Sequence, residues 1–228
     1  MTIEALCLGA PGVLADTTDM ERRAFNAAFA AAGLDWHWEA ETFAKMVSGF
    51  GGRAMIDRQG RETGQDVDAE TLMSAKTALF QRMMADEGLT LRPGIADLIA
   101  AAQNRAIPIA WVTDFGAEEA HAILDNLGDA VHPEVFAFNG AGVLVENAKP
   151  APDIYAAALD DMGVAAANAL AIEAVPWAAQ AALSAGIETV AFPVATALPD
   201  DFPDGARVLS FVSPDLLDDD AARPPARA

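Results

Sequence analysis

The chain predicts an α/β fold, a parallel sheet covered by helices, with a purely helical block inserted after the first strand. Three observations carry this expectation. From residue 95 onward, short apolar runs of strand length alternate with amphipathic helical patterns, as in a parallel sheet with helices on both faces. One more strand-like run, residues 3–8, stands far ahead of that series. Between the two lies a stretch with helical periodicity and no strand signal, which therefore reads as an insertion.

Taken in order, the apolar run 3–8 ends in the turn Gly9-Ala10-Pro11-Gly12. Over 18–33 the spacing becomes helical, with Met20, Ala24, Phe25, Ala28, Phe29 and Ala32 recurring every three or four positions. Thr18 or Asp19 is placed to cap the start of this helix and Gly33 to stop it. Helical patterns follow over Ala40–Val47, 53–62 and Ala69–Glu87, separated by Gly49-Phe50-Gly51-Gly52 and Thr63-Gly64. After Arg92-Pro93-Gly94 come helix 95–103, strand 107–112, helix Ala117–Leu127, strand 135–138, helix 151–162, strand 169–172, helix 177–185, strand 188–192 and a weaker strand 207–211. The expected division is a sheet-containing core of residues 1–16 and 88–217, a helical unit of 17–87, and an acidic, Pro-bearing tail of 218–228 that frays.

Composition narrows the function classes. A chain of 228 residues buries a sizeable core. Cys7 is its one cysteine, in an apolar run, and reads as a small core residue compatible with a reducing compartment. No stretch resembles a signal peptide and none reaches the ~18 apolar residues of a membrane span, so the expected location is cytoplasmic. The formal net charge of −20, from 34 acidic and 14 basic residues, disfavours nucleic acid and anionic membranes as partners. His37, His121 and His132 match no metal-ligand spacing. Trp36 and Trp38 read as core of the helical block, with contact to a lid as the other reading. Trp177 stands out, either plugging a pocket entrance or anchoring a partner.

In an open parallel sheet, ligands bind beyond the carboxyl ends of the strands. The residues found there are 9–12, Thr113-Asp114, Glu173-Ala174 and the loop Asn147-Ala148-Lys149-Pro150.

Those positions carry a family resemblance. In Leu6-Cys7-Leu8-Gly9-Ala10-Pro11-Gly12-Val13-Leu14-Ala15-Asp16-Thr17, the residues Gly12, Val13, Leu14, Asp16 and Thr17 fall in register with Asp-x-Asp-Gly-[Thr/Val]-Leu-x-[Asp/Glu]-Thr. That is the first motif of the haloacid dehalogenase (HAD) phosphatases. Thr113 resembles the second motif, Lys149-Pro150-Ala151-Pro152-Asp153 the third and Glu173-Ala174 the fourth. Arg22-Arg23-Ala24-Phe25-Asn26, Gly33-Leu34 and Gly51-Gly52-Arg53 resemble the helical cap of the phosphoglycolate phosphatase and β-phosphoglucomutase branch. Within it the chain looks most similar to CbbY-type xylulose bisphosphate phosphatases. The resemblance implies a HAD-like Rossmannoid core with a helical cap inserted after strand 1, and phosphate-binding roles for Thr113 and Lys149.

It also implies losses. Gly9 and Pro11 stand where the family has its nucleophilic and acid/base aspartates, and Ala174 replaces a metal-ligating acid, leaving Glu173 as a remnant. Covalent catalysis needs the nucleophile, acid/base help contributes ~10²–10⁴-fold, and Mg²⁺ needs oxygen ligands. Thr18 and Glu21 replace the cap's sugar-phosphate-gripping Glu and His, and Val175-Pro176-Trp177 replaces small polar residues. The expectation is a binding or regulatory pseudoenzyme with no catalytic residue intact and no cofactor. One alternative is a weakly active Mg²⁺-dependent phosphatase using a substitute acid such as Asp114; another is a structural partner protein. Asp16 is expected to serve the helix start. Lys149 either pairs with Glu173 or, with Thr113, holds inorganic phosphate or a small phosphorylated ligand. Together, Gly9→Asp, Pro11→Asp and Ala174→Asp are expected to restore metal binding if the loop keeps its family shape.

Overall fold

The computed structural model describes residues 2–47, 51–113 and 115–218. Strand β1 (Ala5–Leu8) lies at the middle of a six-stranded sheet whose order is β3-β2-β1-β4-β5-β6. The others are β2 (Ile109–Trp111), β3 (Phe136–Asn139), β4 (Ala169–Glu173), β5 (Glu188–Ala191) and β6 (Arg207–Val208), and every pairing is parallel. Along the chain the sheet grows outward from β1 through β2 to β3, then jumps back to place β4 on the other side of β1. The topological switch therefore falls between β1 and β4, where crevices form in such sheets. Leu8 pairs with Ile172 across it, so the residues just beyond, Gly9 and Glu173, meet.

Side chains alternate across each strand, and the two faces differ in size. Leu6, Leu8, Ile109, Trp111, Leu170 and Ile172 pack on one face, with α6 (Ile95–Asn104) and α7 (Ala117–Leu127) among the covering helices. The other face is mostly small: Ala5, Cys7, Ala110, Ala169 and Ala171 lie against α8 (Asp153–Met162) and α9 (Pro176–Ser184). Small side chains let those two helices pack close to the sheet.

Between β1 and α6 the chain forms the short α1 (Pro11–Leu14) and then four longer helices: α2 (Thr18–Ala31), α3 (Ala40–Val47), α4 (Gly52–Thr63) and α5 (Ala69–Glu87). These four share an aromatic core of Phe25, Phe29, Trp36, Trp38 and Phe43, with Phe29 and Trp38 edge to face at 4.7 Å. Trp36 and Trp38 are thus core residues, their indole N–H groups donated to Gln65 and Gln59.

Several expected boundaries shift for local reasons. Helix α1 was not expected; Pro11 at its first turn has no N–H to lose there. The α2 start is served by Asp16, whose Oδ1 accepts from Thr18 N at 3.1 Å, so the expected caps Thr18 and Asp19 do not act. Asp19 instead binds Arg22 and Arg23. Strand β2 begins at Ile109 rather than 107, because Pro108 cannot donate to a ladder, and ends at Trp111, although Val112 N still donates to Leu8 O at 2.7 Å. Helix α8 starts at Asp153 rather than 151, since Pro152 biases Ala151 away from helical backbone. Residues 219–228 lie outside the described residues, while Asp218 is tied to Arg105 at 2.7 Å.

Candidate functional site

The loop after β1 is held from several sides. Gly9 N donates to Ile172 O at 2.9 Å, and Ala10 is extended at φ −54°, ψ 163°, as a residue before proline favours. Arg92 reaches in from just before α6, donating to Gly12 O and Phe192 O at 2.8 Å each and to Pro193 O at 2.6 Å. Its guanidinium lies 3.4 Å above the Phe192 ring, and burial pulls its pKa down to about 10, leaving it protonated at neutral pH. Asp16 Oδ2 accepts from Ala195 N at 2.8 Å. The loop is clamped to the segment that follows β5.

At the switch point sits a sealed polar knot. The Glu173 carboxylate, fully buried, accepts from Lys149 Nζ at 2.8 Å, from the Tyr155 hydroxyl and, at a long 3.4 Å, from Ala10 N. Lys149 Nζ also donates to Val112 O at 2.7 Å. A Cβ built on Gly9 would fall inside the Glu173 carboxylate, closer than any nonbonded contact to all three of its terminal atoms. The glutamate thus occupies the space that any side chain at position 9 would need. The buried ion pair is costly to disturb, because removing one partner strands the other charge. Beneath it, burial and then the Glu173 charge push the Cys7 thiol up to about 12, so this cysteine is an inert core residue.

Beside the knot lies a cavity of about 280 Å³. Its walls come from the loop after β1, the four-helix block, the start of α7 and the turn into α9. Trp177 turns inward, lining the cavity and donating its indole N–H to Val47 O at 2.9 Å, which ties α9 to the end of α3. Lys76 on α5 forms the polar floor, donating to Glu119 at 2.9 Å and Glu21 at 3.4 Å, with its ammonium 4.6 Å from the Phe80 ring centre. Burial works against that charge, yet Glu21 and Glu119 outweigh it and hold the Lys76 pKa above its ordinary value.

Residues 3–186 match the model of the haloacid dehalogenase-like hydrolases. The chain belongs to that family. It is 36% identical over 194 residues to Protein CbbY of Cereibacter sphaeroides, covering 84% of each. A CbbY variant from Rhodobacter sphaeroides in complex with xylulose-(1,5)bisphosphate superposes with a TM-score of 0.80 at 35% identity, over 92% of this chain and 94% of that one. CbbY from the same organism in complex with phosphate gives 0.81 at 35% identity, with the same coverage.

Some of the sequence-based site residues of this HAD member are brought to one place. Gly9, Lys149, Glu173 and Val112, the neighbour of Thr113, surround the end of β1. Thr113 is fully buried and its hydroxyl accepts from Phe115 N at 3.1 Å. Ala174 is buried, its Cβ near Gly12. Pro11, Thr18 and Glu21 line the cavity instead. Asp114 lies outside the described residues. Mg²⁺ does not fit the residues found here: Gly9 and Ala174 carry no oxygen-bearing side chain, and the Glu173 carboxylate is engaged by Lys149 and Tyr155. Among the described residues no three His, Cys, Asp or Glu side chains cluster to hold a metal, and no helix is long and apolar enough to cross a membrane.

Three contributors escaped sequence reasoning. Tyr155, the one tyrosine, follows Lys149-Pro150 into the first turn of α8, a signal that was available. Lys76 interrupts the buried α5 series Leu72, Lys76, Phe80 and Met84, and a charge in an apolar stripe is such a signal too. Arg92 lies in the run Arg92-Pro93-Gly94-Ile95, which agrees with the family resemblance, but its role as a clamp had no signature in that run.

Proposed function

We propose that this HAD-family chain is a binding or regulatory protein without its family's phosphoryl transfer. The observation that carries this reading is the Glu173 carboxylate lying over Gly9. The resemblance puts a nucleophilic aspartate at position 9, an acid/base aspartate at Pro11 and a metal-ligating acid at Ala174. None of these residues can attack phosphorus, transfer a proton or ligate Mg²⁺ through its side chain. The space a nucleophile would use is filled by a carboxylate already neutralised by Lys149. The helical block 17–87 acts in this reading as a cap over the core formed by 1–16 and 88–217. A cytoplasmic location belongs to it too, supported by one free and buried thiol.

A second reading keeps a phosphorylated ligand, inorganic phosphate included, at Thr113 and Lys149. The phosphate and xylulose-(1,5)bisphosphate complexes of CbbY favour it. Such an anion would have to displace Glu173 from Lys149, since the ammonium is shared between that carboxylate and Val112 O. An interaction role through Trp177 has less support, because its indole is turned into the molecule.

The deciding experiment is turnover of an aryl phosphate and of xylulose 1,5-bisphosphate with Mg²⁺, with Lys149→Ala as control for contaminants. No turnover above that control is the expected result. Turnover lost in Lys149→Ala would replace this reading with that of an active phosphatase using a substitute acid, Asp114 being the first to test.

A further inference from the structure

The charge balance of the cavity is unfavourable for a phosphate. Its charged lining residues among those described are Lys76, Glu21 and Glu119, which sum to a single negative charge. The Lys76 ammonium is not an open anion site: the side chain is 3% exposed and its ammonium is engaged by both carboxylates. The Glu21 and Glu119 side chains are 18% and 12% exposed; Glu21 Oε1 also accepts from Thr17 Oγ1 at 2.9 Å, and a carboxylate, with about four lone-pair sites, can accept one more donor from the cavity. Among the described residues, a phosphate dianion entering here would meet two carboxylates and no cation that is not already engaged.

Apart from Thr17 and Thr18, the remaining side chains that line it are apolar and adaptable. Phe25, Phe115, Val175 and Trp177 supply flat or branched walls, and Met55 and Met73 supply unbranched, polarisable ones that reshape around a guest. An apolar cavity of ~150 Å³ admits benzene. On that scale the 280 Å³ here takes about eleven non-hydrogen atoms. Mostly apolar pockets with a few convergent polar groups are the usual form of a small-molecule site.

We propose that this cavity binds a small, largely apolar molecule carrying an alcohol or amine donor, and discriminates against phosphate esters of the same size. The apolar body packs between Phe115, Met73 and Trp177, and the donor reaches Glu21 or Glu119. This deepens the reading of the chain as a binding protein and rests on it.

The test uses three probes with one aryl body: 2-phenylethanol, 2-phenylethylamine and phenyl phosphate, titrated into the full chain by calorimetry. Saturable binding of the alcohol and the amine is expected, with phenyl phosphate at least about tenfold weaker. Met73→Trp, which fills the cavity, should weaken both donors by more than about tenfold. The near-isosteric Glu119→Gln removes one negative charge and should narrow the gap to phenyl phosphate, giving a readout that holds even if Met73→Trp folds poorly. Phenyl phosphate binding as tightly as 2-phenylethanol would overturn the proposal, as would no saturable donor binding at millimolar concentration. These readouts involve no turnover. Phosphatase activity would overturn the function above on its own, whereas tight phenyl phosphate binding without turnover would overturn only the ligand class.

Discussion

Lys149 and Lys76 are both buried lysines beside the loop after β1, and both face glutamate, yet their settings differ. Lys149 meets one carboxylate and one carbonyl in a knot whose two charged side chains are fully buried. Lys76 meets two carboxylates on the wall of a cavity. In the first setting the charges cancel and the volume is filled. In the second an excess of negative charge faces open space. A buried lysine in a HAD member is therefore not by itself a phosphate site; what else the ammonium already holds decides.

The largest effect should come from breaking the knot. Glu173→Ala strands the Lys149 ammonium and should cost about 3–5 kcal/mol in urea denaturation, most of it recovered by adding Lys149→Met. A cost under ~1 kcal/mol would mean that the pair is not the buried contact described. Next, Gly9→Asp should destabilise by about 1–3 kcal/mol, because its side chain must displace the Glu173 carboxylate. Combined with Glu173→Ala the two changes should be strongly non-additive, the double variant exceeding Gly9→Asp in stability. For the same reason the triple change at Gly9, Pro11 and Ala174 should fail to restore Mg²⁺ affinity while Glu173 stays in place.

Alkaline pH should separate the knot from the cavity. Cys7, beneath the knot, holds its proton up to about 12 in the folded chain, whereas the unfolded thiol ionises nearer 9. Stability should therefore fall between those values, by on the order of 1 kcal/mol per pH unit, and Cys7→Ala should flatten the slope. Lys76 also has a raised folded pKa. Its contribution is complete below about pH 10.4 and disappears as pH rises through the folded value. A slope remaining in Cys7→Ala and absent after adding Lys76→Met would assign it. The smallest effect is at the cavity mouth, where Trp177→Phe removes the bond to Val47 O and should lower stability by about 1 kcal/mol in the same denaturation assay.

Much of this was legible in the residues. Strand and helix periodicities placed every sheet strand and the helical block, because apolar spacing reflects which face is buried. The misses were the short helix α1, which Pro11 opens, the α2 cap, which Asp16 serves, and element ends, where Pro108 and Pro152 remove a donor or restrict the preceding residue. The motifs located Gly9, Thr113, Lys149 and Glu173 at strand ends. What they could not show is that Glu173 lies over Gly9, a contact that exists only because β4 pairs with β1. Nor could they show that Lys76 already has two partners, which takes α2, α5 and α7 to assemble.

The central claim, that the chain's own glutamate fills the site and consumes the Lys149 charge, is tested most directly by titrating inorganic phosphate at millimolar concentration into wild type, Glu173→Ala and Glu173→Ala/Lys149→Ala, followed by ³¹P NMR. Expected are no binding to wild type, binding to Glu173→Ala, and its loss when Lys149 is also removed. Phosphate bound by wild type and lost in Lys149→Ala alone would contradict it.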